Sequence, residues 1–245
     1  MTKEQYIDIF CKAFELNGLG TPDANVASNF FELGELLSKA NKIHNLTAIK
    51  EDEDVIVKHF IDSLLISYKI PSGAKAVDVG CGAGFPSLPL AIYRPDISLI
   101  GIDSTAKKIN YVNSTANSLG LTNIKAISAR AEDLSHKAEY RESFDVVTAR
   151  AVASLPVLTE LCLPFLKVGG VFVAMKSQSA QDELALSRSA IEKCGGELLE
   201  VEELELRHTK ENAENEKRSL IIIKKIKKTP DNYPRIYSKI TKKPL

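Results

Sequence analysis

Cysteine is sparse and scattered in this chain. Cys11, Cys81, Cys162 and Cys194 form no Cys-x-x-Cys pair and stand beside no clustered histidine, which argues against zinc or any other metal site and against a disulfide framework. No apolar run approaches the length needed to span a bilayer. The start, Met1-Thr2-Lys3-Glu4-Gln5, leads into no apolar signal region. A membrane role and export are therefore not expected, and a reducing cytoplasm is. Without export, the Asn-x-Ser/Thr matches at Asn45 and Asn113 are accidental. Net charge is also missing: 32 Lys and Arg balance 32 Asp and Glu. That balance argues against nucleic acid as a partner, but its distribution reopens the question. Residues 182–216 hold eleven acids and four bases, whereas residues 217–245 hold ten Lys and Arg against Asp231 alone. Such a basic run is either a solvated tail or a phosphate-contacting patch.

What is present begins with helices. Thr2 and Gln5 make a capping box ahead of Tyr6, Ile9, Phe10, Ala13 and Phe14 at helical spacing. Thr21-Pro22 reads as the cap of a second helix with the stripe Val26, Phe30, Leu33 and Leu37. A third is expected from Glu51 to Ser67, its first turn rich in acids and its apolar face carrying Val55, Ile56, His59, Phe60 and Leu64. After Pro71-Ser72-Gly73, strand and helix patterns alternate. Strands are expected at 75–79, 98–103, 124–128, 144–148, 171–176, 198–206 and 220–226, with helices at 87–93, 107–119, 155–166 and 180–194. With 245 residues and 44% hydrophobic composition there is material for one sizeable core. The pattern predicts a mostly parallel, Rossmann-like seven-stranded sheet with helices on both faces, closed by an antiparallel pair. Residues 1–70 are expected to form a helical lobe, 71–228 the sheet domain and 229–245 a basic tail.

The first strand runs into Asp78-Val79-Gly80-Cys81-Gly82-Ala83-Gly84-Phe85-Pro86, a strand, a glycine-rich turn and a helix start. Glycines allow a sharp turn and close approach to a ligand, and the helix start offers amide donors. Phe85 stands where a dinucleotide fingerprint wants its third glycine, and no Gly-Lys-Ser/Thr of a P-loop follows. The second strand ends in Asp103, whose carboxylate can accept two ribose hydroxyls. After the third strand, Ala131 and Glu132 fall beside the adenine end of such a crevice. Their simpler reading is the capping of a helical turn. Asp78, Asp103 and Glu132, recurring after three successive strands, fit the cationic S-adenosyl-L-methionine better than a phosphate-rich nucleotide.

The turn after the fourth strand reads Thr148-Ala149-Arg150-Ala151. It carries neither an Asn/Asp-Pro-Pro-aromatic clamp for an exocyclic amine nor a Pro-Cys or Thr-Cys nucleophile for a C5-pyrimidine. Cys162 falls within the next helix pattern. Arg150 can hold the cofactor's carboxylate, stack on a base, grip a phosphate, or make a structural ion pair with Asp145 or another acid. A ring nitrogen with a free lone pair, such as guanine N7, needs no general base, so positioning supplies most of its acceleration. His59, on an apolar stripe, is expected to be a hydrogen-bonded core residue. Asn45 and Thr47 form either a turn and cap or a lip over the cofactor.

The segments Asn41-Lys42-Ile43-His44-Asn45-Leu46-Thr47, His59 to Leu64, Asp78 to Pro89, Ile102-Asp103-Ser104, Arg130-Ala131-Glu132, Thr148 to Ala151, Ala174-Met175-Lys176, Tyr233-Pro234-Arg235 and Lys243-Pro244-Leu245 resemble one family across the chain. It is the small-subunit ribosomal RNA guanine-N7 methyltransferases, also called the glucose-inhibited division protein B family. The resemblance implies S-adenosylmethionine-dependent methylation of one guanine N7 in the 530-loop region of 16S ribosomal RNA, on the RNA or the small subunit. It also implies that Gly80 and Phe85 contact the cofactor, with Ala131 and Glu132 at its adenine side and Arg150 nearby. Asp103 is assigned from strand position. A monomer is expected. Two departures stand out: Ala40 replaces the family's aromatic, and Ile236-Tyr237-Ser238-Lys239-Ile240 replaces its glycine and proline. The rivals are a methyltransferase for another RNA, a small molecule or a protein, and a binding module on a degenerate cofactor fold.

Overall fold

The computed structural model describes residues 1–150, 152–177 and 180–245. Ala151, the last residue of the Thr148-Ala149-Arg150-Ala151 motif, lies outside them. Helix α1 (Lys3–Leu16) starts as its sequence predicts, Thr2 Oγ1 accepting from Gln5 N–H and Gln5 Oε1 from Thr2 N–H. Helix α2 (Ala24–His44) is capped by Asp23 rather than Thr21: Asp23 Oδ1 accepts from Val26 N–H at 2.8 Å. A carboxylate at that position also complements the helix dipole. Asn45 closes α2 in the left-handed region, at φ 49°, which asparagine tolerates. The third helix is not regular. It consists of α3 (Asp52–Val55), a π-helical segment (Ile56–Ile61) and α4 (Asp62–Leu64), and stops before Ser67.

The sheet follows with β1 (Lys75–Val79), α5 (Ser87–Tyr93), β2 (Ser98–Asp103), α6 (Ala106–Ser118), β3 (Ile124–Ser128), α7 (Ala131–Leu134), β4 (Phe144–Arg150), α8 (Leu155–Cys162), β5 (Leu166–Lys176), α9 (Ala180–Lys193), β6 (Gly196–Leu206), β7 (Glu216–Lys225) and α10 (Tyr237–Lys242). Strand order is β3-β2-β1-β4-β5-β7-β6. The first five strands pair in parallel, and β7 enters antiparallel between β5 and β6. The order reverses between β1 and β4, so the crevice for a ligand lies beyond their C-terminal ends.

Alternation along the strands sorts two apolar layers. Ala76, Val146, Leu220 and Ile222 pack under α1, α2 and the π segment, among Phe10, Phe14, Phe30 and Phe60. Val77, Val147, Ile221 and Ile223 face the other way, against Leu158 and Leu161 of α8, Ile191 of α9 and Ile240 of α10. On β4 the residues sharing a face with Val146 are Thr148 and Arg150, so Arg150 emerges on the side of the N-terminal helices.

The basic C-terminal segment is folded onto the sheet. Arg141 donates to the carbonyls of Thr229, Pro230 and Tyr233. His136 Nε2 donates to Pro234 O at 2.8 Å. The fully buried Lys225 donates to Leu163 O at 2.7 Å and to Thr229 Oγ1. Arg235 forms a two-pronged pair with Glu160, at 2.9 and 2.7 Å, and Glu160 is completely buried. Arg235→Ala strands that carboxylate in the interior, and is expected to cost about 3–5 kcal/mol, read as a clear fall in Tm. An unchanged Tm would show that Glu160 is not held by Arg235.

Candidate active site

At the end of β1 the chain turns at Gly80, whose φ of 77° lies in the left-handed region and whose missing Cβ leaves room for Val152, 2.5 Å from where that atom would stand. Two properties of glycine are thus used at one residue. The loop is pinned to β2: Gly80 N–H and Cys81 N–H both donate to Ile102 O, at 2.8 and 2.9 Å. Asp103 adds a side-chain tie, its Oδ2 accepting from Gly82 N–H at 3.1 Å and its Oδ1 from Thr105 N–H at 2.8 Å. Each oxygen retains a lone pair for a further donor.

Two cavities meet at Gly80, Asp103 and Val152. One, of about 200 Å³, is lined by Ile102, Ala129, Ala131 and Glu132. Glu132 is buried, and its carboxylate's described contact is Arg130 at 3.9 Å, too long for a hydrogen bond. The other cavity, of about 310 Å³, is lined by Thr47, His59, Phe85, Lys108 and Arg150. Gly80, Phe85, Asp103, Ala131, Glu132 and Arg150 therefore border one continuous cleft. Asp78 does not join them. Its carboxylate is completely buried, taking the hydroxyls of Ser87 at 2.5 Å and Thr148 at 3.1 Å, because Asp78 shares the inward face of β1 with Ala76. Of Asp78, Asp103 and Glu132, it alone braces the start of α5.

Arg150 stands at the next junction. It pairs with Asp62 at 2.8 Å, donates to Lys58 O at 3.2 Å and lies over the Phe85 ring at 5.5 Å. Its acid is Asp62, not Asp145, which takes Lys75 N–H and the Lys167 ammonium. His59 is no closed-in core residue. Its ring stacks on Phe85 at 4.5 Å, nearly parallel. Nε2 is 2.7 Å from Thr47 Oγ1 and Nδ1 is 3.4 Å from Arg150. Arginine only donates, so the Nδ1 lone pair faces it and Nε2 carries the proton to Thr47. Burial, and then the Arg150 charge, lower the His59 pKa to about 4, so the ring is neutral at physiological pH. Thr47 is both a turn residue and a lip of the cleft, held by two hydrogen bonds with the buried Asn41.

Beyond His59 and Arg150 opens a third cavity of about 470 Å³, lined also by Lys58, Asp62, Lys176, Glu183, Glu216 and Arg218. Asp62 is shared by Arg150 and Arg218, the latter at 2.7 Å, and Arg218 also pairs with Glu216. Lys176 pairs with Glu183 at 2.7 Å. Four cations thus face three carboxylates, and with His59 neutral the cavity carries one positive charge in excess. Asp62, Arg218 and the π segment were not foreseen as site elements. The available signal was an acid set among apolar neighbours in His59-Phe60-Ile61-Asp62. A π turn widens the helix by one residue and is a frequent mark of a working site.

The family model described as GidB, rRNA small subunit methyltransferase G, matches residues 27–213. The chain belongs to that family. It is 43% identical over 244 residues to "Ribosomal RNA small subunit methyltransferase G" of Clostridium perfringens (strain 13), covering 98% of this chain and 99% of that one. To the protein of the same name from Desulforamulus reducens it is 47% identical over 212 residues, 86% of each chain. Among solved structures it resembles M. jannaschii TYW2 in complex with AdoMet, with a TM-score of 0.53, 18% identity, and coverage of 69% of this chain and 76% of that one. It also resembles the [4+2]-cyclase SpnF, with a TM-score of 0.56, 17% identity, and coverage of 84% and 97%. At such identities the likeness is one of fold, and the cyclase shows that this Rossmann-like fold alone names no reaction.

Asp78 supplies a pH-dependent test of the frame under the cleft. Burial raises its pKa to about 6, outweighing the hydrogen bonds from Ser87 and Thr148. A carboxyl with a raised native pKa contributes stability that is full below its unfolded value, about 3.9, and is lost as pH rises through about 6. Asp78→Asn stays neutral and escapes that loss. Its Tm relative to the parent should climb between about pH 4 and 6 and level off above, by the equivalent of roughly 3 kcal/mol at most. A difference constant across that range would show that Asp78 does not titrate there.

Proposed function

We propose that this protein transfers the methyl group of S-adenosylmethionine to N7 of a guanine in the 530 loop of 16S ribosomal RNA. The observation that carries the chemistry is the meeting, at His59 and Arg150, of a glycine-turn cleft with a basic cavity large enough for a purine. Family membership supports small-subunit ribosomal RNA as the acceptor.

The residues of the cleft suit the cofactor. Asp103, with a lone pair left on each oxygen, accepts the ribose hydroxyls. Glu132, a buried carboxylate with no hydrogen bond to it among the described residues, accepts an exocyclic amine, beside the backbone of Ala131. Gly80 lines both cavities at the turn, and Phe85 and Arg150 border the amino-acid end. When bound, S-adenosylmethionine supplies an electrophilic methyl group on a sulfonium.

The acceptor side needs no base. Guanine N7 attacks with a lone pair and releases no proton, so a neutral His59, committed to Thr47 and Arg150, shapes the wall without drawing a proton. An arginine free to swing would grip O6 and N7 together and block the reacting atom. Arg150 is held back by Asp62 and the Lys58 carbonyl, leaving single donors such as Lys176 to meet O6. A base that reaches this cavity must be unstacked, which favours a loop over a regular helix. On this reading the protein acts as a monomer on the RNA or its subunit in the cytoplasm. No helix among the described residues is long and apolar enough to cross a membrane, and no cluster of metal-ligating side chains occurs among them.

The deciding experiment incubates the protein and labelled S-adenosylmethionine with small ribosomal subunits from cells lacking the activity, and with RNA stripped from them. Label is expected on one guanine N7 of the 530 loop. Label elsewhere, or none on either substrate, would overturn the acceptor assignment. Asp103→Ala is expected to weaken cofactor binding by roughly 10–100-fold, the range for hydrogen bonds to a charged group, with the fold retained. Unchanged affinity by calorimetry would remove Asp103 from the site.

A further inference from the structure

The cavity beside Asp103 and Glu132 has a wall that the glycine turn and the sheet do not provide. Tyr237, the first residue of α10, lines it together with Leu161 of α8. Tyr237 is the aromatic among the described residues lining that cavity, and it keeps about a third of its surface exposed, at 37%. One turn on, Ile240 is completely buried in the second apolar layer. The helix is thus seated by Ile240 and offers Tyr237 to the cleft.

The seat is firm for a chain end. Arg235, two residues before Tyr237, clamps the buried Glu160 through its backbone N–H and its guanidinium, and also donates to Lys243 O at 3.1 Å. Glu160 directly precedes Leu161, so the anchor and the cavity wall are adjacent on α8. Upstream, Arg141, His136 and Lys225 hold the segment from Thr229 to Pro234. So many tied polar groups do not describe a solvated arm, although Lys239, Lys242 and Lys243 remain exposed on its outer side.

We propose that the C-terminal segment is a wall of the cofactor site, and that Tyr237 is a binding residue against whose ring the adenine of the cofactor stacks. This rests on the cofactor assignment above. An aromatic ring and a carboxylate suited to an exocyclic amine, lining one cavity, are what a purine needs: one group reads its edge and another covers its face.

The test is calorimetric and needs no turnover. S-adenosylhomocysteine and 5′-methylthioadenosine, which lacks the amino-acid end, are titrated into the full-length protein and its variants. Tyr237→Ala is expected to weaken both by about tenfold, the loss of one aromatic stacking partner, with Tm unchanged. Tyr237→Phe keeps the ring and should stay within about twofold of the parent. Parent-like affinity in Tyr237→Ala overturns the proposal. So does a loss in Tyr237→Phe as large as in the alanine variant, which would assign the effect to the hydroxyl. So does a loss for S-adenosylhomocysteine alone, which would place Tyr237 at the other end of the ligand. Failure of the parent protein to bind either compound would instead bring down the cofactor assignment itself.

Discussion

The ion pair between Arg150 and Asp62 joins the two parts of the molecule that must meet for a site to exist. Arg150 leaves the end of a central strand on the face that the N-terminal helices cover, and Asp62 leaves the helix packed there. Both are largely removed from water, so the pair is stable only with its hydrogen bonds complete. Arg218 on β7 supplies the second donor to Asp62, and the Lys58 carbonyl takes up more of the Arg150 guanidinium. Arg218 also pairs with Glu216, so the surplus charge of the neighbouring cavity comes from its four cations, Lys58, Arg150, Lys176 and Arg218, against Asp62, Glu183 and Glu216.

The π-helical turn is the local adjustment that makes the pair possible while His59 stacks on Phe85. One added residue in the turn from Ile56 to Ile61 places His59 and Asp62 toward the strand ends, while Ile56, Phe60 and Ile61 stay in the core. The histidine is kept neutral by burial and by the same arginine. The cleft and the third cavity therefore meet at one ring and one guanidinium, His59 and Arg150, which line both.

The opposite end of the cleft depends on the chain terminus. A run of ten basic residues reads as a solvated arm or a phosphate patch, since its composition reports charge and not partners. Arg235 is spent on a buried glutamate and Lys225 on interior carbonyl and hydroxyl oxygens. Seven lysines stay exposed, Lys217, Lys224, Lys227 and Lys228 along β7 and the chain after it and Lys239, Lys242 and Lys243 around a short helix, and Tyr237 lines the cleft.

The strand and helix alternation, the glycine turn, Asp103 closing β2 and Glu132 after β3 were legible in the chain itself, because they follow from period, local turn chemistry and position along a parallel sheet. Membership of the ribosomal RNA methyltransferase family was legible only as a resemblance, in motifs spread along the chain. The direction in which Asp78 points, the acid that Arg150 chooses, the exposure of His59 to the cleft, the part played by Arg218 and the place of Tyr237 in the cleft lining were decided only in three dimensions. Each depends on a partner distant in sequence, 88 residues away for Arg150 and Asp62 and 156 for Arg218 and Asp62. Local sequence sets which face a residue can occupy, and packing alone sets what it meets there.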